Sequence, residues 1–254
     1  MSLAAPPAHA GEGWRVEAGE SWTEAQAPGN AVLLEGNVRV GNAWAFVPPF
    51  RAGARDRLAL GLDNTVAFGD RVRLSVSGEW LRDTTDAGDP VAGFGDLRLG
   101  TTVRLASVGP VTGFLGWEGK MPNAADSGEL GTDETDFLLG LGLLARHGHF
   151  SASGHAGLGI LGNPLRFANQ DDVPMLRGDL AYAPGPWRAR AFVSADLATS
   201  RNPARMEAGG AARLGRSWFA EVEGAGGLSP AAADARVCLR LGLAAALPGT
   251  PPGE

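Results

Sequence analysis

The sequence predicts an all-β chain, and three features carry that expectation. The first is alternation with a period of two. Leu97, Leu99, Thr101, Val103 and Leu105 share one parity, while Asp96, Arg98, Gly100, Thr102 and Arg104 share the other. The second is punctuation: pairs such as Gly69-Asp70, Val108-Gly109, His147-Gly148 and Gly215-Arg216 interrupt the alternation where a hairpin turn belongs. The third is glycine, 38 of 254 residues, spread through the alternating runs instead of massed in one linker. No run of eighteen apolar residues occurs, which excludes a membrane-spanning helix.

Taken in order, the first strand sets Val32, Leu34, Val38, Val40 and Trp44 against Glu35, Asn37 and Arg39, and Pro48-Pro49 ends it. Leu58, Leu60, Leu62, Val66 and Phe68 follow. After Gly69-Asp70, Val72, Leu74, Val76 and Trp80 oppose Arg71, Arg73, Ser75, Ser77 and Glu79. The run from Phe94 to Met121 folds on Ser107-Val108-Gly109-Pro110, placing Val111, Leu115, Trp117 and Met121 opposite Thr112, Glu118 and Lys120. Phe137, Leu139, Leu141 and Leu143 make the next strand, and Phe150, Ala152, Ala156, Leu158 and Ile160 return. Leu176 to Tyr182 and Ala189 to Leu197 flank Pro184-Gly185-Pro186. Met206 to Leu214 is Gly/Ala-rich and weakly patterned. Trp218, Ala220 and Val222 oppose Glu221 and Glu223, and Val237, Leu239, Leu241 and Leu243 oppose Arg236 and Arg240.

These segments amount to about twelve strands. Tight turns alternate with longer polar connections at 83–93, 122–134, 162–172, 199–204 and 227–233. In an up-and-down sheet, successive connections lie at opposite ends, so one end carries turns and the other carries loops. A soluble barrel hides its apolar face and a membrane barrel displays it. Twelve strands enclose more space than Leu, Val and Ala fill, whereas water and ion pairs satisfy a charged interior. The expected fold is therefore a single antiparallel up-and-down transmembrane β-barrel with a polar lumen. A soluble β-barrel binding a ligand is the alternative. Trp80 and Trp117, near strand ends on the apolar parity, fit an interfacial girdle.

The expected organisation is an N-terminal segment over 1–30, a barrel over 31–247 and a tail over 248–254. Ala8-His9-Ala10 has the small-x-small form of a signal-peptidase site, which fits the remnant of a secretory signal whose start lies upstream and fits equally a chance Ala-rich start. The net charge is −6 and Lys120 is the only lysine; with no basic run, nucleic acid is excluded as a partner. Cys238 is the only cysteine, so an intrachain disulfide and a cysteine metal motif are excluded.

The charged parity supplies the candidate lumen lining: Arg71, Arg73, Arg98, Arg104, Lys120, Arg188, Arg190 and Arg240, opposed by Asp96, Glu118, Asp196, Glu221 and Glu223. Both signs fall on neighbouring strands, as a ladder of internal ion pairs requires. His147, His149 and His155 with Ser151 and Ser153 raise a Ser/His hydrolase acting on lipid as an alternative, yet that strand supplies no orienting acid. The three histidines lack a nearby carboxylate for a metal. Asp126, Asp133, Glu134 and Asp136 have the chemistry of a calcium loop and equally that of solvated acids. No cofactor and no catalytic residue is expected.

Phe94-Gly95-Asp96-Leu97, Lys120-Met121-Pro122 and Gly131-Thr132-Asp133-Glu134-Thr135-Asp136-Phe137 resemble motifs of the MetA-pathway phenol-degradation family of outer-membrane proteins. The resemblance is best over about residues 60–165. It implies a bacterial outer-membrane β-barrel, a channel or transporter for small molecules such as apolar or aromatic compounds. It also implies the lipid bilayer, a small-molecule solute and the outer-membrane assembly machinery as partners. Such barrels usually end on an aromatic residue; this chain ends PGTPPGE, so the expected assembly signal is either internal, at Leu241–Leu247, or of an unusual kind.

Overall fold

The computed structural model describes residues 31–47, 50–69, 71–85, 91–122, 135–161, 171–197, 199, 204–215, 218–229 and 235–246. The 1–30 segment, the Ala8-His9-Ala10 site and the 248–254 tail lie outside the described residues. Described residues form only strands and turns: β1 (Ala31–Val47), β2 (Phe50–Phe68), β3 (Val72–Thr85), β4 (Val91–Phe94), β5 (Leu97–Val108), β6 (Val111–Met121), β7 (Asp136–His147), β8 (Phe150–Leu161), β9 (Asp171–Tyr182), β10 (Trp187–Asp196), β11 (Arg205–Gly215), β12 (Trp218–Gly227) and β13 (Ala235–Ala246).

Each strand pairs antiparallel with its neighbours in sequence, and β1 pairs with both β2 and β13. Since β2 also pairs with β3, the ladders run round a closed circuit. β4 and β5 share a single position in it. Trp80 to Asp83 of β3 pair with β4, and Val72 to Ser77 of β3 pair with β5. The two are one stave with a jog at Gly95-Asp96, giving twelve staves. The Gly95 amide donates to the Glu79 carbonyl at 2.9 Å, and a side chain at Gly95 would press on Leu81 and Glu79. The expected loop at 83–93 is thus shorter than its polar composition suggested: β3 runs to Thr85, and Val91 to Phe94 pair back onto it.

The tight turns lie together at one end. Gly69, Gly109, Gly148, Gly185 and Gly215, one at each, adopt positive φ between 57° and 101°, the left-handed region where a Cβ is costly. The strand ends that the long connections join lie at the other end, as the sequence predicts.

Burial follows the alternation and settles which face is outside. On β7, Leu138, Gly140, Gly142 and Leu144 are buried, while Leu139, Leu141 and Leu143 are 54–61% exposed. On β12, Phe219, Glu221 and Glu223 are buried and Val222 is exposed. Leu60, Leu62, Leu74, Val76, Leu115, Leu180, Val193, Val237, Leu239 and Leu241 extend the exposed apolar band round the barrel, while Arg73, Lys120, Asp179, Arg190, Arg213 and Arg240 are inside. This inverted arrangement suits a hydrocarbon surround and would be a large exposed apolar surface in water. The soluble-barrel alternative falls on it.

Aromatic residues rim the band. Phe94, Trp117 and Phe137 face outward on the long-loop half, and Phe68, Phe150, Tyr182, Trp187 and Trp218 face outward beside the tight turns. The sequence reading names only the first girdle, from Trp80 and Trp117. The second is encoded by an aromatic residue directly flanking four of the turns. The interval between Phe68 and Leu60 or Val72 and Trp80 is close to the roughly 9–11 residues that a tilted strand needs to cross a bilayer core.

Replacement of Leu141, exposed in the middle of β7, by arginine should destabilise the folded barrel by about 2–4 kcal/mol in a bilayer. Reversible urea unfolding in lipid vesicles checks this, and an unchanged unfolding midpoint would contradict a lipid-facing Leu141.

Candidate functional site

The interior wall is the candidate site, and its charged side chains come from the inward parity of nearly every stave. Near the long-loop end, Lys120 at the end of β6 stands between two carboxylates. Its Nζ lies 2.5 Å from Asp136 Oδ2 and 3.6 Å from Asp96 Oδ2. All three side chains are mostly buried. Asp96 sits at the jog before β5, Lys120 ends β6 and Asp136 starts β7, so the cluster ties three adjacent staves where their loops begin. Asp96, Lys120 and Asp136, one from each of three short motifs spread over the 44 residues from Phe94 to Phe137, therefore meet in one ion-pair cluster. Asp136 is engaged by Lys120, which removes it from the calcium-loop candidates; Asp126, Asp133 and Glu134 lie outside the described residues. One residue pair further in, Arg98 Nη1 donates to Glu118 Oε1 at 3.0 Å across β5 and β6.

A larger network covers the wall formed by β9 to β13. Arg177 binds Asp179 through Nε and Nη2 at 3.0–3.2 Å. Arg190 lies 3.5 Å from Asp179, 3.9 Å from Glu221 and 2.6 Å from Glu223. Arg240 donates to Glu221 at 2.8 Å and to Glu223 at 3.3 Å. Three guanidiniums and three carboxylates thus share one buried cluster, in which each charge is paired and the planar Arg forks reach two acids at once.

The contact between Arg190 of β10 and Glu223 of β12 crosses β11. Register explains it: Arg190 pairs with Ala211, and Ala211 pairs with Glu223. A small residue on the intervening strand leaves the space through which the two long side chains meet. The weak Gly/Ala pattern of Met206 to Leu214 is thereby accounted for, since β11 is the floor of this network. Further along, Ser194 donates to Glu207 at 3.2 Å, and Asp196 lies in register with Arg205.

Of the remaining candidates, Arg73, Arg104 and Arg188 lie near the tight-turn ends of β3, β5 and β10, while Arg71 lies in the exposed turn before β3. Arg104 donates to Ser107 from Nε and Nη2. The sequence reading left Asp136, Arg146, His155, Arg177, Asp179 and Arg213 out of the lining, although Arg177 and Asp179 lie on the charged parity of their strand. It also missed the inward apolar groups Phe114, Leu138, Leu144, Val173, Met175, Phe192 and Phe219, all buried. Those residues share parity with the charges, so strand alternation alone places them inside. Arg177 and Arg190 each hold their guanidinium carbon 5.1 Å from the Phe192 ring centroid, and Arg213 stacks on Phe219 at 3.3 Å.

The histidine–serine cluster is dispersed. His147 ends β7 and His149 sits in the following turn, both exposed, whereas His155 is buried on the inner wall of β8. The Ser153 hydroxyl lies 3.4 Å from Asp179 Oδ2, and His155 Nδ1 has no hydrogen-bond partner among the described residues. The neighbouring strand does supply an acid, but it is directed at the serine and shared with Arg177 and Arg190, which is not the base–orienter order of a triad. Among the described residues, no three His, Cys, Asp or Glu side chains come together as a metal site.

No protein-family profile and no curated protein sequence matches the chain. Solved structures do. An outer membrane channel from Pseudomonas putida F1 superposes with a TM-score of 0.67 at 11% identity, over 86% of this chain and 96% of that one. The translocator domain of the autotransporter NalP from Neisseria meningitidis gives 0.56 at 15% identity, covering 92% and 94%. The KdgM porin gives 0.53 at 10% identity, covering 85% and 99%. At these identities the likeness is one of fold: the chain has the fold of bacterial outer-membrane β-barrels.

Replacing Lys120 by methionine leaves Asp96 and Asp136 facing each other without their cation. Removing one partner from a buried ion pair costs about 3–5 kcal/mol, so this variant should unfold at markedly lower urea. Adding Asp136→Asn should recover part of the loss. Equal stability of Lys120→Met and the parent protein would show that the cluster does not hold the three staves together.

Proposed function

We propose that the protein is an outer-membrane channel that passes small molecules, a member of the phenol-degradation-type outer-membrane family whose motifs it resembles. The observation that carries this reading is the closed twelve-stave circuit with an apolar band outside and charge inside. A barrel of this size encloses more than a packed core, and its inner wall is dressed for water and ions. Neighbours in fold named as a channel and a porin support the same reading.

In this reading the wall does two jobs. The Arg177–Asp179–Arg190–Glu221–Glu223–Arg240 network and the Lys120 cluster hold the staves together. Arg98 and Glu118, less deeply buried than those groups, lie where a passing solute meets charge. Insertion takes place through the outer-membrane assembly machinery, with β13 as the strand it engages.

The test is single-channel recording of the refolded protein in a planar bilayer. Discrete conductance steps are expected, and Arg98→Ala and Glu118→Ala should shift ion preference in opposite senses while the barrel still folds. Folded protein that inserts and stays silent would overturn the channel reading.

A further inference from the structure

The inner wall is filled unevenly round the barrel. On the β9–β13 side the inward side chains are long and packed: Met175, Phe192, Phe219, Glu221, Glu223 and Arg240 are all buried. The wall formed by β2, β3 and β5 differs. Its inward parity carries Asp63 and Thr65 on β2, Ser75 and Ser77 on β3, and Arg98, Gly100 and Thr102 on β5. Ser75 is exposed and the other six are half-buried. On β5 no inward residue from Arg98 to Arg104 is buried, whereas on β12 Phe219, Glu221, Glu223 and Ala225 all are. Twelve staves enclose more than a packed core, and among the described residues the space left over lies against this wall.

Register shows how the space arises. Thr65, Ser75 and Gly100 form one transverse row across three staves. The next row towards the long loops holds Asp63, Ser77 and Arg98, and the next towards the tight turns holds Ala67, Arg73 and Thr102. Gly100 brings no side chain to the patch, and a Cβ there would meet the Ser75 hydroxyl. Every other uncharged polar group in these rows is a short hydroxyl. Elsewhere on the inner wall hydroxyls are engaged: Ser107 with Thr112, Ser153 with Asp179 and Ser194 with Glu207. Among the described residues, none hydrogen-bonds the hydroxyl of Thr65, Ser75, Ser77 or Thr102. Polar groups that the fold leaves unengaged beside open space take their hydrogen bonds from what occupies that space.

We infer that the β2–β3–β5 wall is the solute lane of the barrel, where Thr65, Ser75, Ser77 and Thr102 bind small uncharged solutes bearing hydroxyl groups. A hydroxyl both donates and accepts, so four of them on one wall match a solute whose own groups do the same. The charges around them come in both signs. Asp63 and Arg98 flank Ser77 in one row, Arg98 is bound to Glu118, and Arg73 is buried beside Thr102. Two acids and two bases leave the lane with hydrogen bonds to offer and no net charge to select an ion. Passage along the lane rests on the channel reading; binding at the wall does not.

Thiol labelling locates the lane, and the buried Cys238 is first removed as Cys238→Ala. In that background a cationic methanethiosulfonate should modify Ser75→Cys in the folded protein and lower each conductance step, while Ala225→Cys, on the filled β12 wall, stays unmodified. Concentrated arabinose, an uncharged polyhydroxyl probe, should slow the labelling of Ser75→Cys whether or not the barrel conducts. In proteoliposome swelling, the triple variant Thr65→Val, Ser75→Ala, Thr102→Val should slow arabinose entry by about fivefold or more, since each lost hydrogen bond weakens binding, and leave potassium chloride conductance in place. Ser75→Ala alone should slow entry less and in the same direction if the triple variant does not fold. Equal labelling of Ser75→Cys and Ala225→Cys, or none of Ser75→Cys, would overturn the lane and leave the channel standing. Labelling that arabinose does not slow, or arabinose entry that the variants leave unchanged, would overturn the recognition of hydroxyl groups. Silent bilayers with labelling of Ser75→Cys that arabinose slows would overturn the channel reading and keep the binding wall.

Discussion

A chain that crosses lipid as strands has to pair every backbone amide and carbonyl within itself, since the bilayer core offers no substitute partner. That constraint is met here by the ladder between β1 and β13, which joins the two ends of the sequence and leaves the sheet without an edge. Everything else depends on it. Closure fixes an inside and an outside, and strand alternation then sends one half of each stave's side chains to each. Whatever is charged must gather inside, at close quarters, where charges have to be paired or shared. The network on the β9–β13 wall and the Lys120 cluster are the consequence of closing the sheet on a sequence that alternates Leu and Val with Arg, Asp and Glu.

The sequence was legible wherever two local signals agreed. Val72 to Trp80 alternates strictly and starts after a glycine turn, and β3 is where it was expected. Gly69, Gly109, Gly148, Gly185 and Gly215 mark the turns by composition and adopt the positive φ that composition implies. Legibility failed where meaning depended on a partner strand. Met206 to Leu214 looked unpatterned because its role is to be small between Arg190 and Glu223, and that role is visible only once β10, β11 and β12 are in register. Val91 to Phe94 looked like loop because its pairing partner, the end of β3, is charged.

The interior was legible in kind and not in arrangement. Parity alone placed Arg98, Glu118, Arg190, Glu221, Glu223 and Arg240 on one face, since alternation needs no tertiary knowledge. Which acid meets which base requires register and the reach of each side chain. Sequence alone leaves Arg240 open to any acid on its side of the barrel; its pairing with Glu221 and Glu223 follows from the ladder between β12 and β13. The same limit concealed the inward aromatic rings. Phe192 and Phe219 share parity with arginines, and their use as platforms beneath guanidiniums is a property of neighbouring strands.

The ion-pair cluster at the long-loop end contains the only primary amine among the side chains of the protein. Lys120 is more than nine-tenths buried and charged between two acids, whereas amine chemistry requires an accessible, neutral nitrogen. The one lysine of the chain is therefore shielded from amine-selective acylating reagents while the cluster is folded. Acylation of Lys120 itself then reports that the junction of β5, β6 and β7 has come apart, so the lone lysine is a built-in chemical sensor of unfolding at that mouth.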